Sequence, residues 1–217
     1  MEMYELMDDQ AVNGEKVKEY LLQVSENGQI DVHTIEGNQG STDFIKVVIP
    51  GKNGKSKGGT APTLGIIGRL GGIGARPEMV GFVSDGDGAL ASMSAAAKLL
   101  DMAKKGDQLE GDVVLTTHIC PDAPTRPHDP VPFMDSPVDI LTMNEHEVAE
   151  EMDAILSIDT TKGNQIINHR GFAITPTVKE GYILKVSDDL LRVYTQSVGK
   201  LPVTMPITTQ DITPYGN

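Results

Sequence analysis

The chain has 217 residues, enough for one sizeable α/β domain and short for two, and its hydrophobic fraction of 39% supports a packed core. Thirty-one acidic against 18 basic residues give a net charge of −13, which disfavours binding to nucleic acid or to an acidic membrane surface, since both need a basic face. A single cysteine, Cys120, excludes an intrachain disulfide framework, and aromatics are scarce (4%, no Trp), so Val, Ile, Leu, Ala and Met must build the core.

The first ten residues, MEMYELMDDQ, are acidic and lack the basic and apolar regions of a secretory signal. With no apolar run near the roughly 18 residues needed to span a membrane, the expectation is a cytoplasmic protein. Residues 14–25 have helical spacing, with Val17, Tyr20, Leu21 and Val24 on one face and Gly28 as the stop. Residues 29–37 (QIDVHTIEG) and 44–51 (FIKVVIPG) alternate with period two and read as a strand pair. The loop KNGKSKGG (52–59) is basic, but it lacks the Gly-Lys-Ser/Thr ending and the strand-to-helix context of a phosphate-binding loop.

Residues 63–70 (TLGIIGRL), 79–84 (MVGFVS), 112–120 (DVVLTTHIC) and 154–159 (AILSID) are apolar runs that read as buried strands. From Gly88, ALASMSAAAKLLDMAKK is a helix whose alanines permit close packing on a sheet and which Gly106 ends. The segment PDAPTRPHDPVPFMDSP (121–137) holds six prolines and must be an extended loop. Residues 144–153 (NEHEVAEEMD) read as an acidic helix, 171–186 as a strand, a turn and a strand, 187–199 as a helix between a Ser/Asp cap and Gly199, and 203–208 as a last strand. Strands interleaved with helices predict a three-layer αβα fold around a central mixed, mainly parallel sheet. It is read as one domain, with residues 1–58 as an N-terminal helix and strand pair and 59–217 as the core sheet with the site. The chain closes on turn residues (DITPYGN), which suggests a truncated C-terminus.

In open α/β sheets ligands gather at the carboxyl ends of strands. Arg69, Asp85, Asp87, His118, Asp122 and Asp159 all stand at such ends. Several carboxylates brought together repel one another unless a cation lies between them, and that cation is either a divalent metal or Arg69. Oxygen and imidazole ligands suit zinc, manganese or magnesium. Bland readings stay beside these: His118 as a satisfied core histidine, Asp87 as a helix cap, Cys120 as a core residue. No Gly-x-Ser-x-Gly elbow and no dinucleotide fingerprint are present.

The segments GRLGGIGARPE, VSDGDGA, THICPDAPTRPHDPVPFM, SIDTTKGN, GFAITPTVKEGYIL and TTQDITPYGN resemble a bacterial and archaeal family of uncharacterised proteins, a domain of unknown function covering the chain. That resemblance implies a longer protein, with a further His-containing stretch after TPYGN, and names no activity. The order of elements also resembles the two-metal zinc aminopeptidase superfamily. This second resemblance implies a zinc-exopeptidase-like fold, with Asp85 as the bridging acid, Asp159 as a later metal ligand and Asp122 in place of a ligating Glu. It also places Arg69 where a His ligand would stand and Pro121 where the general base would stand. At most one divalent metal, held by Asp85, Asp122 and Asp159, is then expected, with His118 or His128 as base and Arg69 and Lys162 as substrate-binding groups.

Three functions follow. The first is a divergent metal-dependent hydrolase of amide or peptide bonds. The second is a catalytically degenerate relative that binds a small molecule or peptide, in which Arg69 neutralises the acids directly. The third is a metal-free enzyme using Cys120, His118 or Lys162. The expected partners are a small molecule or peptide and a second copy of the chain in a homo-oligomer, with neither nucleic acid nor membrane.

Overall fold

The computed structural model describes residues 1–69, 82, 86–127, 133–159 and 169–206. The chain divides into two compact units, Met1–Thr160 and Thr161–Asn217.

The first unit opens with two helices, α1 (Glu2–Asp8) and α2 (Gly14–Val24). The first of these was not expected from the sequence; it buries Met3 and Met7, and so uses the acidic N-terminal segment as core. The Asn13 side chain caps α2 by accepting from the Lys16 N–H at 2.9 Å. Strands β1 (Gln29–Gly37) and β2 (Gly40–Ile49) form the antiparallel pair that the alternation predicts. A 3-10 turn at Lys55–Lys57 follows, then β3 (Leu64–Gly68), α3 (Asp87–Lys104), β4 (Val113–Ile119) and the two-residue strands β5 (Thr125–Arg126) and β6 (Phe133–Met134). Helix α4 (Ile140–Glu147) and strand β7 (Ala154–Ile158) complete the unit.

Five strands make one mixed sheet in the order β1-β2-β4-β3-β7, with β3, β4 and β7 parallel and β1 and β2 antiparallel to their neighbours. Side chains alternate across it. Ile45, Val47 and Ile49 of β2 and Val113, Leu115 and Ile119 of β4 join a core with α1, α2 and α3. Phe44, Thr116 and His118, on the opposite face, meet α4. The glycines of the β3–α3 contact set its depth. A methyl group added at Gly88 would overlap the Arg69 carbonyl and lie 2.6 Å from that of Ile158, so α3 starts directly on the strand ends.

The second unit holds β8 (Ala173–Ile174), β9 (Val178–Lys179), β10 (Tyr182–Ile183), α5 (Asp188–Val198) and β11 (Val203–Thr204). Strands β9 and β10 pair through Glu180 and Gly181, both at positive φ (51° and 84°), the backbone of a tight hairpin turn. Helix α5 carries the predicted Ser187 cap and closes on Gly199 in the left-handed region at φ 71°. Strand β11 pairs parallel with β8 in a separate two-stranded sheet. The strand expected at 79–84 lies outside the described residues except for Phe82.

Among the described residues no helix is long and apolar enough to cross a membrane.

Candidate functional site at the carboxyl edge

The strand register assembles the site. His33 of β1 lies opposite Phe44 of β2, and Phe44 lies opposite His118 of β4. On the other side of β4, Thr117 pairs with Gly68 of β3, so the next residue, Arg69, comes beside His118. Gly68 also pairs with Ile158, and the Arg69 N–H donates to the Ile158 carbonyl at 2.8 Å, which sets Asp159 beside Arg69. The result is a row, His33–Phe44–His118–Arg69, crossing four strands.

Helix α4 closes over that row. Asp139 caps it by accepting from the Thr142 N–H at 2.8 Å, and Met143 and Glu147, one turn apart, turn inward. The Glu147 carboxylate is completely buried. Arg69 Nη1 donates to its Oε2 at 2.5 Å, and His118 Nδ1 pairs with its Oε1. The Thr116 hydroxyl donates to the Glu147 carbonyl at 2.8 Å and ties the last turn of the helix to β4. Phe44 packs against both His118 and His146, with ring centres 5.8 and 4.6 Å away. A buried carboxylate is tolerated only when paired and hydrogen-bonded, and here both oxygens are engaged.

Glu147 is the residue that sequence reasoning missed. The segment 144–153 reads as an acidic helix, in which Glu145, Glu147, Glu150 and Glu151 look alike. The helix instead spans Ile140–Glu147 and ends there. The signal that could have found Glu147 is Met143, four residues earlier, which marks the inward face. The degenerate reading has Arg69 neutralise Asp85 and Asp159; the acid that its Nη1 meets is Glu147, and Asp85 lies outside the described residues.

The remaining candidates distribute as follows. Asp159 follows the end of β7, beside Arg69. Asp122 is exposed; its carbonyl lies close to Gly40, at the β1–β2 turn and on the far side of β4 from Arg69. Asp85, His128 and Lys162 lie outside the described residues. Among the described residues no group of three or more His, Cys, Asp or Glu side chains is placed to share a metal ion. The strand end between Asp122 and Asp159 carries a guanidinium, which cannot ligate a metal.

Cys120 is buried behind the same edge, its Sγ 3.4 Å from the Thr42 hydroxyl. Burial pushes its thiol up to about 11, Asp43 and Glu147 push the same way, and the Thr42 hydrogen bond only partly offsets them. At neutral pH this sulfur is a protonated thiol, the form that is not nucleophilic.

Residues 33–217 match a family described as "Protein of unknown function (DUF1177)", so the chain belongs to that family. No curated protein matches the chain.

Proposed function

We propose that in this member of the DUF1177 family the carboxyl edge of the sheet binds a small molecule or peptide through a carboxylate, with Arg69 as the receiving group. The observation that carries this reading is the Arg69–Glu147–His118 network. Arg69 stands where open α/β sheets place their ligands. Its side chain keeps 12% exposure, whereas Glu147 has none and His118 2%. The Arg69 side chain is therefore the most exposed of the three. Glu147 anchors its Nη1 side, which removes most of the rotamer freedom that a free arginine would lose on binding. A planar fork held in this way suits a carboxylate.

The resemblance to zinc aminopeptidases agrees with this reading in one respect: it puts Arg69 in the place of a metal ligand. A degenerate exopeptidase-like protein keeps the cleft and loses the metal pair. A second reading retains catalysis. Because Glu147 takes Nδ1 of His118, the basic lone pair of that imidazole would be at Nε2, the arrangement of a base oriented by a carboxylate. In that reading the protein is a divergent amide or peptide hydrolase, and Asp85, Asp122 and Asp159 would hold one divalent ion.

Calorimetric titration of amino acids, dipeptides and small dicarboxylates tests the binding reading. At least one should bind with 1:1 stoichiometry, and Arg69→Lys should weaken it about tenfold to a hundredfold, because a point charge replaces a fork. Equal binding by the lysine variant, or no binding by any carboxylate, would remove the reading. An ion lost specifically in Asp159→Ala, together with an amide-hydrolysing activity, would establish the hydrolase instead.

A further inference from the structure

The outer end of the same row carries a pair of histidines. His33 is exposed on β1, the edge strand, and His146 is half-buried on α4. Their ring centres are 5.3 Å apart and their planes 33° from parallel. Phe44 lies opposite His33 in the β1–β2 register and packs against the His146 ring at 4.6 Å, with planes 31° apart. The aromatic ring thus fixes the orientation of His146 and the register fixes the position of His33. Among the described residues no hydrogen bond joins the two imidazoles, so hydrogen bonding does not account for their approach.

We propose that His33 and His146 form a two-histidine site for a first-row divalent transition metal, of the zinc, nickel or copper class. Two imidazoles on one tetrahedral ion, each nitrogen about 2.0–2.1 Å from it, bring their ring centres to roughly 5 Å. The observed spacing meets that requirement. Neutral imidazole is a common ligand of such ions. Among the described residues no third His, Cys, Asp or Glu joins the pair, and water would fill the remaining positions. The ion would tie the edge strand β1 to α4. Since His146 directly precedes Glu147, it would also hold the helix end that orients Arg69.

Zinc chloride is the probe. Protein stripped with chelator and exchanged into chelator-free buffer is titrated calorimetrically and followed by thermal melting. The wild type should take up one zinc and melt at a higher temperature. His33→Ala, at an exposed position, and His146→Gln should each weaken uptake at least tenfold, as expected for loss of one of two protein ligands. His169→Ala should bind as the wild type does. No zinc uptake by the wild type would overturn the proposal. So would undiminished uptake by folded His33→Ala, or uptake that depends on Asp159 and not on His33.

Discussion

Glu147 holds two opposing demands in one side chain. Taking a carboxylate fully out of water costs several kcal/mol, and among the described residues Arg69 and His118 are the groups that return it. Removing one partner strands the other, so Glu147→Ala and Arg69→Ala should each lower unfolding free energy by about 3–5 kcal/mol, measured by urea denaturation. The apolar pair Arg69→Met/Glu147→Leu should lose clearly less than the sum of the two single changes. Additive losses would mean that the two groups do not depend on each other. Cys120 gives a second test at this scale. With its thiol pushed up to about 11, it should stay unlabelled by a disulfide reagent at pH 7.5 and react fully once the protein is unfolded; prompt labelling of the native protein would revive the thiol-based reading. Arg69 and His118 were legible as strand-end residues because apolar runs announce where strands stop. Glu147 was not, because a buried acid on a helix carries the same letter as its solvated neighbours. Its helical spacing from Met143 is a local hint, and the partners that face it from the sheet identify it.

At the scale of elements, the site depends on how closely α3 and α4 sit against the strand ends. Gly88 admits α3 onto the backbone of Arg69 and Ile158. Gly88→Ala should therefore cost about 1–3 kcal/mol through overpacking, seen as a lowered melting temperature, although alanine is the better helix former in isolation. An unchanged or raised melting temperature would show that the helix start can shift freely. On the same face of the sheet as α3, Asp43 of β2 accepts from the Gly14 N–H at 2.7 Å and from the Thr34 hydroxyl at 2.7 Å, fixing the start of α2 from a distance. No local pattern reveals such a cap, because its acceptor lies 29 residues away in the chain. The five strands of the sheet were legible, since period-two alternation and uninterrupted apolar runs are properties of short windows. Helix α4 was legible as a helix but was placed several residues late. Its capping Asp139 follows a proline-rich stretch read as loop, and its acidic continuation looked equally helical.

Across the whole molecule, acid sensitivity follows from several paired carboxylates. Burial pushes the Asp112 carboxyl up, but N–H groups of Ser56 and Gly51, the Ser56 hydroxyl and Lys57 outweigh it and hold it below its ordinary range. The Lys46 ammonium holds Glu151 down, and the Lys55 ammonium with the Thr63 N–H holds Asp153 down. A carboxylate whose pKa is lower in the folded state contributes stability above the unfolded-state value, near 4, and loses it as pH falls through the folded value. These three groups should therefore leave stability level from pH 7 to about 5 and lower it below about 4. Asp112→Asn should flatten part of that acid slope, and an unaltered slope would count against the assignment. The whole-chain excess of 13 negative charges was legible at once, whereas the way individual acids are paired was not. The central claim concerns Arg69 as a ligand-receiving group oriented by Glu147. Its most direct test is a double-mutant cycle on carboxylate-ligand affinity, using Arg69→Lys, Glu147→Gln and the double variant. Orientation through Arg69 predicts that Glu147→Gln weakens binding in the wild type and has little further effect beside Arg69→Lys, a coupling of about 1 kcal/mol or more. Independent, additive effects, or affinities indifferent to both changes, would contradict it.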